Sequence, residues 1–177
     1  MCLDQKAFYR GRDLFIAASS TAASRLKFAT FTALDSGIEN LKENASEIMR
    51  AARATLKAIK IDSYALKFET HVDDWFTGYH GHAHAIVSTP AAGKGYISAD
   101  GWHNAWHDQL RPDLHQVEGG THVERVYDLG GIASYTAKSA YAKSAIGASG
   151  VIGRIVDGLV ALKGMPRFEL RGSFVTT

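Results

Sequence analysis

Three histidines at a two-residue spacing constrain the fold of this chain more than any other feature of its sequence. His80, His82 and His84 alternate with small or apolar residues over residues 79–87. Successive side chains of a β-strand point to opposite faces, so the three imidazoles would share one face, about 7 Å apart. The apolar side chains would pack beneath a helix on the other face. Neutral imidazoles favour a metal ion, and the pattern therefore predicts a strand with an open, metal-binding face.

A partner strand is predicted upstream, at residues 64–72, and the loop between the two strands is short enough for an antiparallel hairpin. If the hairpin folds about the centre of this loop, Glu69 lies opposite His82. A register slip of one residue would move Glu69 to the other face. We predict that His82, His84 and Glu69 are the metal ligands.

The same register brings two further pairs of side chains together on the histidine face. Lys67 would lie near His84, and His71 would lie near His80. His80 and His71 are therefore alternative ligands, although a single histidine on a strand is usually a structural residue.

A second pair of histidines occurs further along the chain. His103 and His107 are four residues apart on a predicted helix and could hold a metal between them. Trp102 and Trp106 repeat at the same spacing, however, which is typical of an ordinary amphipathic helix. We interpret the histidine pair as structural.

The remaining elements complete an α+β pattern, with one capping box predicted from Ser36 and Glu39 at the start of the longest helix. Strands and helices alternate, with an antiparallel hairpin in the middle, and this favours a central, mainly antiparallel sheet of about five strands flanked by helices. We expect an N-terminal helical extension over residues 1–25 and one domain over residues 26–177. The other predicted strands are 26–34, 121–129 and 168–175, and the predicted helices are 6–18, 38–60, 99–110, 132–146 and 155–163.

Composition excludes several classes of protein. With 46% apolar residues in 177, the chain can fill one core. The single cysteine, Cys2, allows no internal disulfide, so a disulfide-stapled secreted scaffold is excluded. No run approaches the roughly 20 apolar residues that span a bilayer, and no export signal stands out. We expect a cytoplasmic protein that does not bind membranes.

Charge is distributed unevenly along the chain. Residues 1–60 carry ten Lys and Arg against six Asp and Glu, residues 61–120 carry three against eight, and residues 121–177 carry seven against four. The three blocks therefore have net charges of +4, −5 and +3. Seven of the eight histidines lie in the acidic block. This pattern indicates a cation site between two basic segments that could bind a polyanion.

A tyrosine and a lysine lie three residues apart on the predicted helix 132–146. Tyr135 and Lys138 would share one face of that helix, so the ammonium could favour the phenolate form of the tyrosine. A phenolate, unlike a phenol, is an effective nucleophile. On its own, such a pair is usually a half-buried aromatic residue beside a solvated lysine.

Taken in order, these motifs resemble the rolling-circle plasmid replication initiators, the Rep proteins of the HUH endonuclease superfamily. The resemblance covers roughly residues 26–174. The ordered combination of the histidine strand and a downstream Tyr-x-x-Lys is fairly specific, whereas the threonine-containing first strand is weak alone. The segments that carry it are Phe28-Ala-Thr30-Phe-Thr32, Glu69-Thr70, His80-Gly-His82-Ala-His84 and Tyr135-Thr-Ala-Lys138, with Leu162-Lys163-Gly164 and Arg167-Phe168 after them.

The resemblance implies a metal-dependent nickase that cuts and rejoins one strand at a replication origin. Tyr135 would attack a DNA phosphodiester, remain joined to the 5′ phosphate and release a 3′ hydroxyl that primes synthesis, with Lys138 beside it. His82, His84 and Glu69 would hold the divalent metal, which is generally Mg²⁺ or Mn²⁺ in that family. The ligand types would also accept Zn²⁺. The DNA partner would be a single-stranded or cruciform origin.

Two positions depart from the family pattern and leave the termination step open. Many plasmid relatives have a glutamate one helical turn before the tyrosine, where this chain has Gly131. Phage-type relatives have a second tyrosine one turn later, but Tyr141 follows Tyr135 by six residues and would lie on another helix face. Tyr141 is an alternative nucleophile.

The sequence has no Gly-x-x-x-x-Gly-Lys loop for ATP, so unwinding and synthesis would depend on a host helicase and polymerase. Three other functions compete with the replication initiator. A single-tyrosine HUH transposase shares the histidine pair, although Ser139 stands where such an enzyme would have glutamine. The others are a non-catalytic DNA-binding protein of the same fold and a metal-binding protein unrelated to DNA.

Overall fold

The computed structural model describes residues 25–72, 78–89, 96–116, 120–128, 156–166 and 168–175. The predicted helices at 6–18 and 132–146 lie outside the described residues, as does the N-terminal extension apart from residue 25. Five strands and two longer helices account for most of the described chain. They are β1 (Leu26–Thr32), α1 (Leu41–Ala58), β2 (Tyr64–Val72), β3 (Tyr79–Ser88), α2 (Ala99–Gln109), β4 (Thr121–Arg125) and β5 (Phe168–Arg171).

The five strands form one sheet in the order β4-β1-β3-β2-β5, and each pair of neighbours is antiparallel. The predicted α+β class, with an antiparallel sheet of five strands flanked by helices, is confirmed. The histidine strand β3 lies in the centre of the sheet. Its two neighbours, β1 and β2, therefore flank the histidine row along its whole length.

Helices α1 and α2 cover one face of this sheet. Alternate residues of the central strands are buried beneath them, including Phe31, Phe68 and Ala83. Trp102 and Trp106 of α2 both pack against the ring of Phe31. The period of two in the strands and the three-to-four residue period in α1 therefore meet in one apolar core, as the sequence pattern predicts. No helix in the described part of the chain is long and apolar enough to cross a membrane.

The helix α1 approaches the sheet closely above Gly81. A Cβ atom at this position would lie 3.0 Å from Cδ1 of Ile48 and 3.3 Å from the ring of Phe68. Glycine is therefore the residue that fits between the helix and its neighbour in the sheet. Because Gly81 lies between His80 and His82, the packing of the core also determines where the histidine row lies.

The predicted capping box at the start of α1 is wrong. The helix begins at Leu41 with Asn40 at the N-cap position, and no side chain caps it. Ser36 instead pairs with Tyr79 through two backbone hydrogen bonds of 3.1 and 2.8 Å. The segment before α1 is held by the start of the histidine strand, so the backbone of Ser36 is extended and cannot open a helix.

Three strands end earlier than the sequence pattern predicts, and the first of them is β1, which ends at Thr32 rather than at residue 34. β4 ends at Arg125, and β5 ends at Arg171, where Gly172 adopts a φ of +59° and starts the 3₁₀ turn Gly172–Phe174. The turn folds Phe174 onto the second face of the sheet. There it joins a small apolar cluster with Leu26, Ala65, Ile86 and Val126.

We expect Phe68→Ala to destabilise the protein by about 3–5 kcal/mol, because it removes a fully buried ring between α1 and the sheet. The exposed Lys57→Ala should change stability by less than about 0.5 kcal/mol. Urea unfolding followed by circular dichroism measures both. Similar losses of stability in the two variants would contradict this core assignment.

Candidate functional site

The histidine row lies on the sheet face opposite the two helices, and its register is the predicted one. Glu69 of β2 pairs directly with His82 of β3. On the other side, β1 contributes a threonine opposite each of two histidines. The cross-strand rows are Thr32–His82–Glu69 and Thr30–His84–Lys67, followed on the β2 side by His80–His71.

This face is less open than the sequence pattern predicts. Glu69 and Lys67 are only 3% and 6% exposed, and the side chain of His84 is 10% exposed. His80 and His82 are half-buried. The second apolar cluster also covers one end of the face, so the histidine row lies at the border between a dry region and solvent.

Two threonines of β1 hold the ring nitrogens of the histidines. Thr30 Oγ1 lies 3.1 Å from His84 Nδ1, and Thr32 Oγ1 lies 3.3 Å from His82 Nδ1. When Nδ1–H donates to the hydroxyl oxygen, the lone pair of the neutral ring resides on Nε2. A hydrogen bond at the far nitrogen is also the usual way in which proteins orient a metal-binding histidine. In that tautomer, the threonines orient the rings so that Nε2 can act as a ligand.

Glu69 places a carboxylate beside both an imidazole and an ammonium. Its Oε2 lies 3.6 Å from Nε2 of His84 and 3.8 Å from Nζ of Lys67. Phe28 stacks on the ring of His84, with centroids 5.4 Å apart and an angle of 16° between the planes. The stacked ring, the threonine and the carboxylate together restrict His84 from three sides.

The environment keeps His82 and His84 neutral. Burial, together with smaller contributions from the neighbouring His80, His84 and His71, lowers the pKa of His82 from 6.5 to about 3. Burial likewise lowers the pKa of His84 from 6.5 to about 4, with smaller contributions from Lys67 and His71. Both rings can therefore offer a lone pair at neutral pH, which metal binding requires.

The outer histidines of the row are held differently. His80 Nδ1 contacts Oδ1 of Asp35 in an ion-pair geometry. Its ring also meets that of His82 edge-on, with centroids 4.4 Å apart, and His71 lies 5.1 Å from His82. His80 is therefore oriented by Asp35 in the loop before α1, whereas His82 and His84 are oriented by the threonines of β1.

These side chains are neighbours, but their ligand atoms do not converge on one point. Within the described ranges, no group of three or more His, Cys, Asp or Glu side chains has the arrangement of a metal centre. The metal role of His82, His84 and Glu69 therefore stays a prediction. Their donor atoms, two imidazole nitrogens and a carboxylate oxygen, suit a divalent cation.

The second pair of histidines lies on the opposite side of the sheet, on α2. Trp102 and Trp106 are buried, as an amphipathic helix requires, whereas His103 and His107 remain half-exposed. The two imidazoles pack against each other with centroids 4.2 Å apart and an angle of 43° between their planes. A third ring, His115, packs against His107 at 4.5 Å. The sequence pattern did not identify this third member.

Several residues of the first site were also missed as functional candidates. Thr30, Thr32 and Phe28 recur at a period of two on β1, so their common face was readable from the sequence, but their contact with the histidines depends on which strand lies beside β3. The contact of Asp35 with His80 depends on the path of a loop. The burial of Lys67 has no local sequence signal.

The predicted nucleophile Tyr135, its partner Lys138 and the alternative Tyr141 lie outside the described residues. Comparison of the chain with protein-family models, with curated proteins and with solved structures found no significant match.

We expect acid to destabilise the protein through the neutral histidines when a chelator removes divalent ions. The folded-state pKa of His84 is about 4 against 6.5 for an unperturbed histidine, so between these pH values the unfolded chain binds more protons than the folded chain. The free energy of unfolding should fall as the pH drops through this window. Urea unfolding at several pH values measures it.

In His84→Asn the ring that resists protonation is absent, so the decline in stability below pH 6.5 should be shallower than in the wild type. Wild-type and variant curves that remain parallel through the window would contradict the assignment of His84 as a buried neutral ring.

Proposed function

We propose that this chain is a metal-dependent DNA nickase of the HUH endonuclease type, acting as the replication initiator of a rolling-circle plasmid. One observation carries the proposal. Two neutral imidazoles on a central strand are each anchored at Nδ1 by a threonine of β1, beside a buried carboxylate of β2. An ordinary surface strand has no reason to bury such a set.

His82, His84 and Glu69 would hold the cation. Their Nε2 and carboxylate donors match a site for Mg²⁺ or Mn²⁺, and Zn²⁺ also accepts them. When bound, the ion polarises the phosphate and offsets the charge that develops on it. The ammonium of Lys67, 3.8 Å from Glu69 Oε2, would repel the ion and weaken its binding.

Tyr135 would carry out strand transfer. Its phenolate oxygen forms a bond to phosphorus while the bond from phosphorus to the 3′ oxygen breaks. The proton of the phenol is lost before the attack, and the departing 3′ oxygen takes up a proton and becomes a free hydroxyl. The 5′ phosphate remains on the tyrosine, so attack by a second 3′ hydroxyl reverses the step and joins the ends. Lys138 would favour the phenolate.

The substrate would be a single-stranded or cruciform origin. The basic first and last blocks of the sequence would contact its phosphates, and a host helicase and polymerase would unwind and extend it. We propose that the protein is cytoplasmic, where it would have direct access to plasmid DNA. A single-tyrosine transposase would use the same site, whereas a non-catalytic DNA-binding protein would have no need for neutral histidines beside a carboxylate.

We expect the purified chain to form a covalent adduct with single-stranded DNA. The probe is a labelled pool of oligonucleotides with randomised central sequence, incubated with Mn²⁺ and resolved on a denaturing gel. Tyr135→Phe should abolish the adduct because it removes the attacking oxygen, and Tyr141→Phe should retain it. Sequencing the captured strands identifies the nick site.

The reverse pattern, with the adduct lost only in Tyr141→Phe, would assign the nucleophile to the other tyrosine. No adduct in the wild type, with Mn²⁺ bound and DNA retained on a native gel, would favour the non-catalytic alternative.

We expect Thr30→Val to weaken Mn²⁺ binding by about tenfold or more, because the imidazole of His84 loses the partner that orients it. Thr30→Ser keeps the hydroxyl and should restore most of the affinity. Thr121→Val on β4 is a matched control, since its side chain lies on the opposite face. Calorimetric titration measures all three, and equal affinities for the valine and serine variants would contradict the positioning role.

A further inference from the structure

Two buried tryptophans hold in place the helix α2, which carries His103 and His107. Trp106 is fully buried, and its Nε1–H donates to the carbonyl oxygen of Thr32 at 3.1 Å. Trp102 lies one turn away and is also buried. Because His103 and His107 follow these two tryptophans on the same helix, their backbone positions are fixed relative to the sheet.

The segment that carries His115 is fixed as well. Leu110, before the 3₁₀ turn Pro112–Leu114, and Leu114, at its end, are both buried, and the backbone N–H of Leu34 donates to the carbonyl oxygen of Leu114 at 3.0 Å. Arg111 ties the same turn to α1 by donating to Glu43 and to Asn44. The third histidine is therefore presented by a well-anchored turn.

The hydrogen bonding of His115 determines its tautomer. Its Nε2 lies 2.9 Å from the carbonyl oxygen of Leu110, and a carbonyl can only accept, so Nε2–H is the donor. In the neutral ring, the lone pair is therefore on Nδ1. This is the arrangement by which proteins commonly prepare a histidine for a metal, with the remote N–H bound to a backbone oxygen.

We propose that His103, His107 and His115 form a second metal site, which binds Zn²⁺ or a related divalent transition metal. The ring centroids are separated by 4.2 Å between the first two histidines and by 4.5 Å between the last two. Two histidines at i and i+4 on a helix, joined by a third from the next turn, provide the imidazole-only donor set that zinc accepts and magnesium does not favour.

Binding at this cluster involves rotation of the rings about their side-chain bonds. The ring planes are tilted by 43° and 54° and do not converge, consistent with the absence of a ready-made metal centre in the described ranges. His103 and His107 are half-exposed, so their rings can turn without displacing the core. The helix and the turn already bring His107 into contact with both His103 and His115.

A metal bound by these three histidines would have a structural role. It would join α2 to the following turn, and α2 is linked through Trp106 to the backbone of Thr32, whose hydroxyl contacts His82. The site is separate from the nickase site and uses none of its residues, so this inference does not rest on the proposed function.

The test uses the full chain in a His82→Ala/His84→Ala background, which removes the first candidate site. Zn²⁺ alone is titrated in competition with a chromophoric chelator. We expect one equivalent of bound Zn²⁺ in this background. Adding His107→Ala should weaken the affinity by more than about tenfold, since even the loss of an outer partner has such an effect.

His122→Ala in the same background is the matched control, because this histidine is exposed on β4 and lies away from the cluster, with 71% of its side chain accessible. It should leave Zn²⁺ affinity unchanged. Absence of Zn²⁺ binding in a background variant whose circular dichroism is native would overturn the proposal. Equal affinities with and without His107→Ala would overturn it too.

A second measurement is independent of whether the variants fold. Long-range ¹⁵N–¹H spectra of the wild-type chain distinguish the two ring nitrogens of His115. On addition of Zn²⁺, the Nδ1 resonance should shift while Nε2 stays protonated. Zn²⁺ binding that leaves Nδ1 unshifted would exclude His115 as a ligand.

Discussion

The antiparallel pairing of β3 with β1 and β2 is the constraint on which the site depends. Because neighbouring residues alternate between faces, one register places apolar side chains under the helices and, at the same time, the polar row of threonines, histidines and Glu69 on the other face. A slip by one residue would put histidines into the helix-side core. Burial of Phe31 and Phe68 therefore selects the register that brings Glu69 beside His82.

The sequence was a good guide wherever a local period decided the structure. Periodicity located β2 and β3, the body of α1 and the tryptophan face of α2, and loop symmetry gave the pairing of Glu69 with His82. It failed where the path of a loop or turn decides which residues meet. Ser36 looked like a helix cap but is held by Tyr79, and His115 joins His107 only because a buried turn returns to α2.

Burial and charge act against each other at the site. Removing His82 and His84 from water keeps both imidazoles neutral and able to donate a lone pair, but it also brings Lys67 and Glu69 into a poorly solvated region. Oε2 of Glu69 lies 3.6 Å from Nε2 of His84 and 3.8 Å from Nζ of Lys67, so its carboxylate offsets the ammonium charge. The polar side chains of this row therefore depend on one another, and the loss of one changes the environment of the others.

The bare backbone at Gly81 has a consequence for how this protein can vary. A methyl group there would press on Cδ1 of Ile48 and on the ring of Phe68, which would have to give way by a few tenths of an ångström, and the strand that carries this position also carries the flanking imidazoles. A substitution at this one position therefore affects both the packing of the core and the placement of the histidines. A change in the size of the α1 side chains that face the sheet would also affect the histidine face, because Gly81 lies directly between His80 and His82.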